Sequence, residues 1–266
     1  MRIVCLVKFV PDAEQITYDY EKNVLVRENV RLVINPEDAT CLAHALAVKA
    51  QFPESTVETV TMAPKGVMPH LADLVRRGVD RAVLISDPLY VGSDTYVTSK
   101  ILARHLRNDR YRYIMTGTHT LDGGTGHVPA QLAELLELPH VSNIVSLDRQ
   151  ALDRERATVD VDSEALTLTF QIDAPAILGF AYSTKHKLPY ISSAAIDADV
   201  SDRIDLVTND ELGFAPEQVG IAGSPTQVAS VTVETLERKT ALVVEADDDG
   251  VDAVYAFLAD KGFLRR

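Results

Sequence analysis

Along the first half of the chain, short apolar runs alternate with amphipathic stretches. Residues 2–7, 30–34, 57–62, 82–86 and 113–116 are rich in Val, Ile and other apolar side chains, the pattern of strands buried on both faces. Between them, apolar positions recur at helical spacing. Leu42, Leu46, Ala47 and Ala50 share one face, Val67, Leu71, Leu74 and Val75 a second, and Val97, Ile101 and Leu106, with Ala103 nearby, a third. Asn35-Pro36-Glu37-Asp38 reads as a helix start, with Asn35 as cap, Pro at the first helical position and acids in the first turn. This alternation predicts an α/β fold: a mostly parallel sheet flanked by helices, with right-handed crossovers and ligands bound outside the carboxyl ends of the strands.

The alternation breaks over residues 145–172. Residues 157–161 and 165–170, separated by Asp162-Ser163-Glu164, read as an antiparallel hairpin, and residues 176–180 as a further strand. From Ser192 the composition shifts to scattered acids (Asp197, Asp199, Asp202, Asp205), followed by a poorly periodic stretch through Pro216 and Pro225 and one clear helix near 252–261. So little periodicity predicts either a flexible tail or an arm that wraps another subunit.

The run Asp122-Gly123-Gly124-Thr125-Gly126-His127 carries the most specific local chemistry. It lies between the apolar strand at 113–116 and a helical pattern of Val128, Leu132, Leu135 and Leu136. A strand, a glycine-rich turn and a helix start together aim backbone N–H groups and the positive end of a helix dipole at an anion, with Asp122 and Thr125 as a cap, a hydroxyl donor or a ribose contact. An ordinary βα turn needing glycines only for its geometry has the same sequence, and both readings stand.

Composition narrows the choice. The 266 residues are 46% hydrophobic and carry a formal net charge of −13, which argues against a polyanion such as nucleic acid as partner. No apolar run is long enough to cross a bilayer, and the opening residues do not read as a signal peptide, so no membrane insertion and a cytoplasmic location are expected. The two cysteines, Cys5 and Cys41, have no CxxC spacing and read as buried structural thiols; the seven histidines form no ligand pattern, so no metal site is expected. The first βα turn holds Val7-Lys8-Phe9-Val10-Pro11-Asp12 in place of a G-x-G-x-x-G or P-loop motif, and no G-x-S-x-G elbow occurs. No catalytic side chain is singled out, and any redox chemistry must come from an organic cofactor.

Several segments, in order, resemble the beta subunit of electron transfer flavoproteins. They are Val7-Lys8-x-Val10-Pro11-Asp12, Asn35-Pro36-x-Asp38, Met62-Ala63-Pro64, Arg77-Gly78-Val79-Asp80-Arg81-Ala82, Gly92-Ser93-Asp94-Thr95-x-x-Thr98-Ser99 and the turn and helix from Asp122 to Ala133. The resemblance runs from residue 1 to about Phe214. It implies an adenine-nucleotide-binding, Rossmann-like core over residues 1–184, including the hairpin, and a recognition loop and C-terminal arm over 185–266 that embraces an alpha subunit. Members of this family hold AMP in the beta subunit or, in an electron-bifurcating branch, a second FAD.

The resemblance also implies cofactor contacts. Leu6, Lys8 and Val10 would line one wall and Asn35 and Asp38 another, Met62, Ala63 and Pro64 would close over the adenine, and Asp122, Gly123, Gly124, Thr125, Gly126 and His127 would hold the phosphates, with Gly117 and Val128 beside them. Gly124, His127 and Pro129 stand where the family often has Asp, Gln and Gly. Asp94, Thr95 and Thr98 resemble the bifurcating form, with Ser93 as helix cap, and two phosphate-facing helix starts favour FAD over AMP. The complex would then take a hydride from NADH and pass electrons to an acyl-CoA-dehydrogenase-like flavoenzyme and to ferredoxin or flavodoxin. Leu188-Pro189-Tyr190-Ile191 corresponds to the family's recognition loop, whose leucine, here Leu188, would dock into the partner dehydrogenase, although a loop leucine that merely covers the core reads the same way. Lys185-His186-Lys187 beside it would steer an acidic partner or be a solvated loop. A stand-alone adenine-nucleotide-binding protein of the stress type, or a subunit that only scaffolds its partner around a structural nucleotide, are the competing readings.

Overall fold

The computed structural model describes residues 1–12, 17–19, 24–26, 31–107, 110–163, 165–182, 187–227 and 243–264. They fall into two compact units, Met1–Gln227 and Val228–Arg266. The division lies beyond the 184/185 boundary expected from the sequence.

The first unit is built on a nine-stranded sheet. In chain order its elements are β1 (Arg2–Leu6), β2 (Phe9–Pro11), β3 (Thr17–Asp19), β4 (Val24–Val26), β5 (Leu32–Ile34), α1 (Pro36–Gln51), β6 (Thr56–Met62), α2 (Met68–Arg76), β7 (Arg81–Ile85), α3 (Thr95–Leu106), β8 (Tyr113–Gly117), α4 (His127–Leu136), β9 (His140–Leu147), β10 (Arg156–Ser163), β11 (Leu166–Asp173), β12 (Ala176–Phe180), β13 (Ile204–Val207), α5 (Asn209–Leu212) and α6 (Gly220–Gly223). The sheet order is β11-β10-β9-β12-β8-β1-β6-β7-β13. Strands β9 to β13 in that row run parallel, and β10 and β11 add the antiparallel hairpin at one edge.

Strict alternation along β1 explains why the sheet is covered on both sides. Ile3 and Cys5 face α1 and α2, where Cys41, Leu42, Ala45, Leu71 and Leu74 bury them. Val4 and Leu6 face α3 and α4, against Val97, Ile101, Leu106 and Leu132. With both faces apolar, the central strands read as the continuous runs seen in the sequence. Cys5 and Cys41 are buried and free.

Three elements differ from the sequence reading. The run expected at 30–34 is not in the main sheet: β5 pairs with β2 in a separate antiparallel ribbon and is only half-buried, and Val30 lies outside the described residues. Strand β9 was not expected, because Asn143 adopts a left-handed conformation (φ 61°) and shifts the register against β12, which spoils the alternation that would have marked it. The acidic tail from Ser192 does not stay loose over its first part. Ile204–Val207 adds an edge strand beside β7, and Val200, Val207, Leu212, Phe214 and Val219 are buried in the body. Asn209 fixes this segment: its N–H donates to Asp87 Oδ2 at 3.0 Å, its Nδ2 to the Phe214 carbonyl at 2.9 Å, and its Oδ1 accepts from Tyr90 Oη at 3.0 Å. Elements of four residues are too short to show a period, so side-chain clips replace amphipathic pattern here.

In the second unit, α7 (Asp248–Asp260) matches the helix expected near 252–261; Asp247 caps it by accepting from Gly250 N at 2.8 Å. Residues 228–242, where part of the expected arm falls, lie outside the described residues, as do Lys185 and His186. No described helix is long and apolar enough to cross a membrane.

Because Phe214 is buried under the Arg104 guanidinium, 4.6 Å from its ring centroid, Phe214→Ala is expected to cost the body about 3–5 kcal/mol. Urea denaturation measures this, and a cost under 1 kcal/mol would mean that the 200–224 segment is not packed in solution.

Candidate functional site

From β1 the chain steps outward through β6 to β7, then returns across β1 to β8, so the strand order reverses between β1 and β8. Open α/β sheets bind ligands at such a reversal, outside the carboxyl ends of the strands. Here the ends of β1, β6, β7 and β8 frame a cleft of about 990 Å³.

The reversal is held together by the first turn of α1. Asp38 is buried, and its carboxylate spans the two strands: Oδ2 accepts from Lys8 N at 2.8 Å and Oδ1 from Gly117 N at 3.0 Å. Asn35 occupies the cap position, yet its side chain does not cap the helix. It ties down the loop after β8 instead, with Nδ2 donating to the His119 carbonyl at 2.8 Å and Oδ1 accepting from Leu121 N at 3.1 Å. Glu37 accepts from His119 N. A Cβ on Gly117 would stand 2.5 Å from Asp38 Oδ1 and 2.7 Å from Glu37 Cβ, so only glycine lets β8 approach α1 this closely.

Two helix starts meet the cleft, and they differ. Asp94, not Ser93, caps α3: Oδ1 accepts from Val97 N at 3.0 Å, while Oδ2 accepts from Thr226 N at 3.0 Å and Thr226 Oγ1 at 2.7 Å. Burial opposes ionisation of Asp94, but these hydrogen bonds win and lower its pKa. Ser93 Oγ donates to the Tyr90 carbonyl at 2.7 Å. Helix α4 has no side-chain cap; Gly126, at φ 63°, turns the chain into it. The positive end of α3 therefore already faces a carboxylate, whereas that of α4 faces the cleft with the first-turn N–H groups of His127 and Val128, which have no intrahelical acceptor. Thr116 is among the residues lining the cleft, while its Oγ1 is itself buried and has no hydrogen-bond partner among the described residues.

Most residues singled out from the sequence converge on this cleft: Leu6, Lys8, Asp38, Met62, Ala63, Pro64, Asp94, Thr95, Thr98, Gly117, Gly123, Thr125, Gly126, His127 and Val128 line it. Four do not. Val10 is wholly buried, paired with Val33 in the β2–β5 ribbon. Asn35 is buried beneath the loop it anchors. Asp122 is turned to Lys8, whose Nζ lies 2.6 Å from Oδ2, and although burial opposes ionisation this lysine lowers its pKa. Gly124 stands at the outer bend of the turn, at φ 61° with open space around it. The sequence reading also missed a wall: Ser86, Asp87, Tyr90 and Val91 after β7, together with Thr116, Thr118 and His119, line the cleft. The rule that ligands sit at strand ends marks β7 and β8 equally, and was the available signal. Far along the chain, Leu188 is half-buried and packs on the core, Pro189 is held through its carbonyl by Arg77 Nη1 at 2.6 Å, Ile191 is half-buried, and Tyr190 is 92% exposed.

Burial, its largest influence, pushes the Asp38 carboxyl up to about 7, against hydrogen bonds from Lys8, Asn35 and Gly117 that favour the ionised form. In the unfolded chain this group ionises near 3.8, so the folded protein holds an extra proton between about 4 and 7. Its contribution to stability is full below about 4 and is lost as pH rises through 7. Urea denaturation from pH 5 to 8 is expected to show wild type losing stability relative to Asp38→Asn, whose amide does not titrate. A constant difference across that range would mean that folded Asp38 is already ionised throughout it.

Comparison with known proteins agrees with this architecture. The electron transfer flavoprotein domain profile matches residues 22–208. The chain is 30% identical over 268 residues to "Protein FixA" of Azorhizobium caulinodans, covering 96% of this chain and 93% of the relative. It is 27% identical over 266 residues to the electron transfer flavoprotein subunit beta of Clostridium acetobutylicum (99% and 100%) and 29% identical over 229 residues to the caffeyl-CoA reductase-Etf complex subunit CarD of Acetobacterium woodii (86% of each). Fold, cleft and sequence likeness together place this chain in the electron transfer flavoprotein family, among its beta subunits.

Proposed function

We propose that the chain is the nucleotide-bearing beta subunit of a cytoplasmic heterodimer with an electron transfer flavoprotein alpha subunit, and that its cleft holds FAD. One observation carries this reading: the uncapped start of α4 opens onto a cleft of about 990 Å³, at the upper end of the range for small-molecule sites. Apolar side chains of Leu6, Val60, Met62, Ile85 and Val91 suit ring systems, and the glycines of the turn before α4 suit a phosphate. Bound flavin would supply hydride acceptance and one-electron release.

The chain's own residues do the positioning. The N–H groups heading α4 would receive a phosphate, Met62, Ala63 and Pro64 would cover the adenine, and Thr95 and Thr98 would add hydroxyls from α3. Asp38 fixes the strand ends beneath. Lys8 is neutralised by Asp122 and serves as a clamp on the glycine turn more than as a free cation. The likeness of Gly92 to Ser99 to the bifurcating form is the ground for assigning the complex to that branch, with NADH as hydride donor, an acyl-CoA-dehydrogenase-like enzyme as one acceptor and ferredoxin or flavodoxin as the other; the relative named for a caffeyl-CoA reductase-Etf complex supports a partner enzyme that acts on a CoA thioester.

AMP is the second reading, and Asp94 favours it: a carboxylate already at the head of α3 leaves one strong anion position, which a single phosphate fills. The segment 228–266 would reach the alpha subunit, burying Val251, Val254 and Tyr255, which are exposed on α7.

Extraction of the co-expressed heterodimer separates these readings. Two FAD per heterodimer is expected; one FAD with one AMP would select the non-bifurcating form, and no nucleotide in this subunit would overturn both. Docking of the dehydrogenase is assigned to the loop Leu188-Pro189-Tyr190-Ile191, in which Tyr190 is the side chain offered to solvent while Leu188 anchors the loop. Tyr190→Ala is expected to weaken that association by about 2 kcal/mol with nucleotide content unchanged. An unchanged electron-transfer rate at limiting dehydrogenase would remove the loop from the docking surface.

A further inference from the structure

The motif Arg77-Gly78-Val79-Asp80-Arg81-Ala82 follows α2, and most of its residues have plain tasks inside the fold. Gly78, at φ 115°, ends the helix. Val79 and Ala82 are buried in the core. The Asp80 carboxylate accepts from Val57 N at 2.8 Å and from Lys49 Nζ at 2.6 Å, and Arg81 pairs with Asp205. Arg77 reaches instead to a loop 112 residues further on, where its Nη1 donates to the Pro189 carbonyl at 2.6 Å.

That carbonyl sits at the pivot of the loop. Leu188 before it is half-buried on the core, and Tyr190 after it is 92% exposed. The ring of Pro189 fixes φ, which leaves ψ as the soft backbone torsion between the buried anchor and the exposed ring. The Pro189 carbonyl and the Tyr190 N–H share one peptide plane, so a donor that holds the carbonyl sets that torsion and the direction in which Tyr190 leaves the loop. Residues 187–200 form neither helix nor strand, and no ladder does this work. The far end of the loop is held from the same helix end: Arg76 Nε and Nη2 donate to the Ala198 carbonyl at 3.2 and 3.1 Å, while Arg76 Nη1 donates to Asp73 Oδ1 at 3.1 Å. Two neighbouring arginines of α2 thus clamp both ends of one loop.

We propose that Arg77 is a positioning residue for docking of the dehydrogenase, presetting the direction of Tyr190 by holding the Pro189 carbonyl from the end of α2. This inference rests on the assignment of the loop Leu188-Pro189-Tyr190-Ile191 to docking. A side chain already held in its bound direction loses less conformational freedom on association, so the clamp strengthens docking and leaves the electron-transfer step itself unaltered. Arg77 acts through Tyr190, and its effect disappears when that ring is removed.

The test uses the heterodimer with its bound nucleotides and, as probe, purified acyl-CoA dehydrogenases of the same organism, each reduced with its own acyl-CoA and assayed for electron transfer to the heterodimer. Arg77→Met keeps an unbranched stem and removes the donor; it is compared with Tyr190→Ala and with the double variant. Arg77→Met is expected to raise KM for the heterodimer about fivefold with kcat unchanged, and to have no further effect in the Tyr190→Ala background. Hydrogen exchange over residues 187–198, measured without any dehydrogenase, is expected to be faster in Arg77→Met than in wild type. Unchanged exchange, an unchanged KM where Tyr190→Ala raises it, a fall in kcat in place of the rise in KM, or the same fold-change from Arg77→Met with and without Tyr190 would overturn the proposal. If Tyr190→Ala leaves KM unchanged, or no acyl-CoA dehydrogenase exchanges electrons with the wild-type heterodimer, the docking reading itself fails and this proposal with it.

Discussion

A single buried carboxylate holds this site in shape. Two parallel strands that leave β1 and β8 at the strand-order reversal have N–H groups with no further strand to receive them, and Asp38 accepts from both, Lys8 N at 2.8 Å and Gly117 N at 3.0 Å. The cleft exists because these strand ends are held at that separation, and Asp38 reaches them because Pro36 starts α1 directly behind. Gly117 completes the arrangement by having no Cβ where the carboxylate lies. Burial makes this carboxylate reluctant to ionise, so the joint that defines the cleft titrates close to neutral pH.

Charge in the cleft is distributed with the same economy. Lysine and histidine side chains are at hand, yet Lys8 is matched by Asp122 and His119 Nδ1 lies 3.9 Å from Glu37. The head of α3 is occupied by Asp94, which also fastens residues 224–226 through Ser224 and Thr226. The backbone at the head of α4, with Lys65 and His127 on the cleft wall, is what remains for an anion. Backbone donors act through geometry and the helix dipole, which suits a small anion, whereas a net charge of −13 disfavours polyanions.

The central strands, the four helices that flank the sheet, the hairpin and most of the cleft wall were legible in the sequence because each carries a period or a spacing long enough to read. Leu42, Leu71, Ile101 and Leu132 announce the helices that cover the sheet. The glycine turn before His127 announces the uncapped start of α4, and the family resemblance, confirmed by the domain match, displaced the stand-alone nucleotide-binding alternative. What was not legible depends on tertiary partners. Val10 and Asn35 belong to motifs at the cleft but serve the structure beneath it, and nothing local separates a residue that touches a ligand from one that supports its neighbour. Asp94 in place of Ser93 as the cap of α3 depends on a one-residue shift that propensity does not resolve. The segment carrying β13 and Phe214 is held by Asn209 and Arg104, long-range clips with no periodic trace.

The most direct measurement is a crystal structure of the heterodimer purified with its native cofactors. A nucleotide in this subunit's cleft, with phosphate oxygens about 3 Å from the N–H groups of His127 and Val128, is the result this account expects. An empty cleft, or a nucleotide whose phosphates lie at the head of α3 and away from α4, would contradict it.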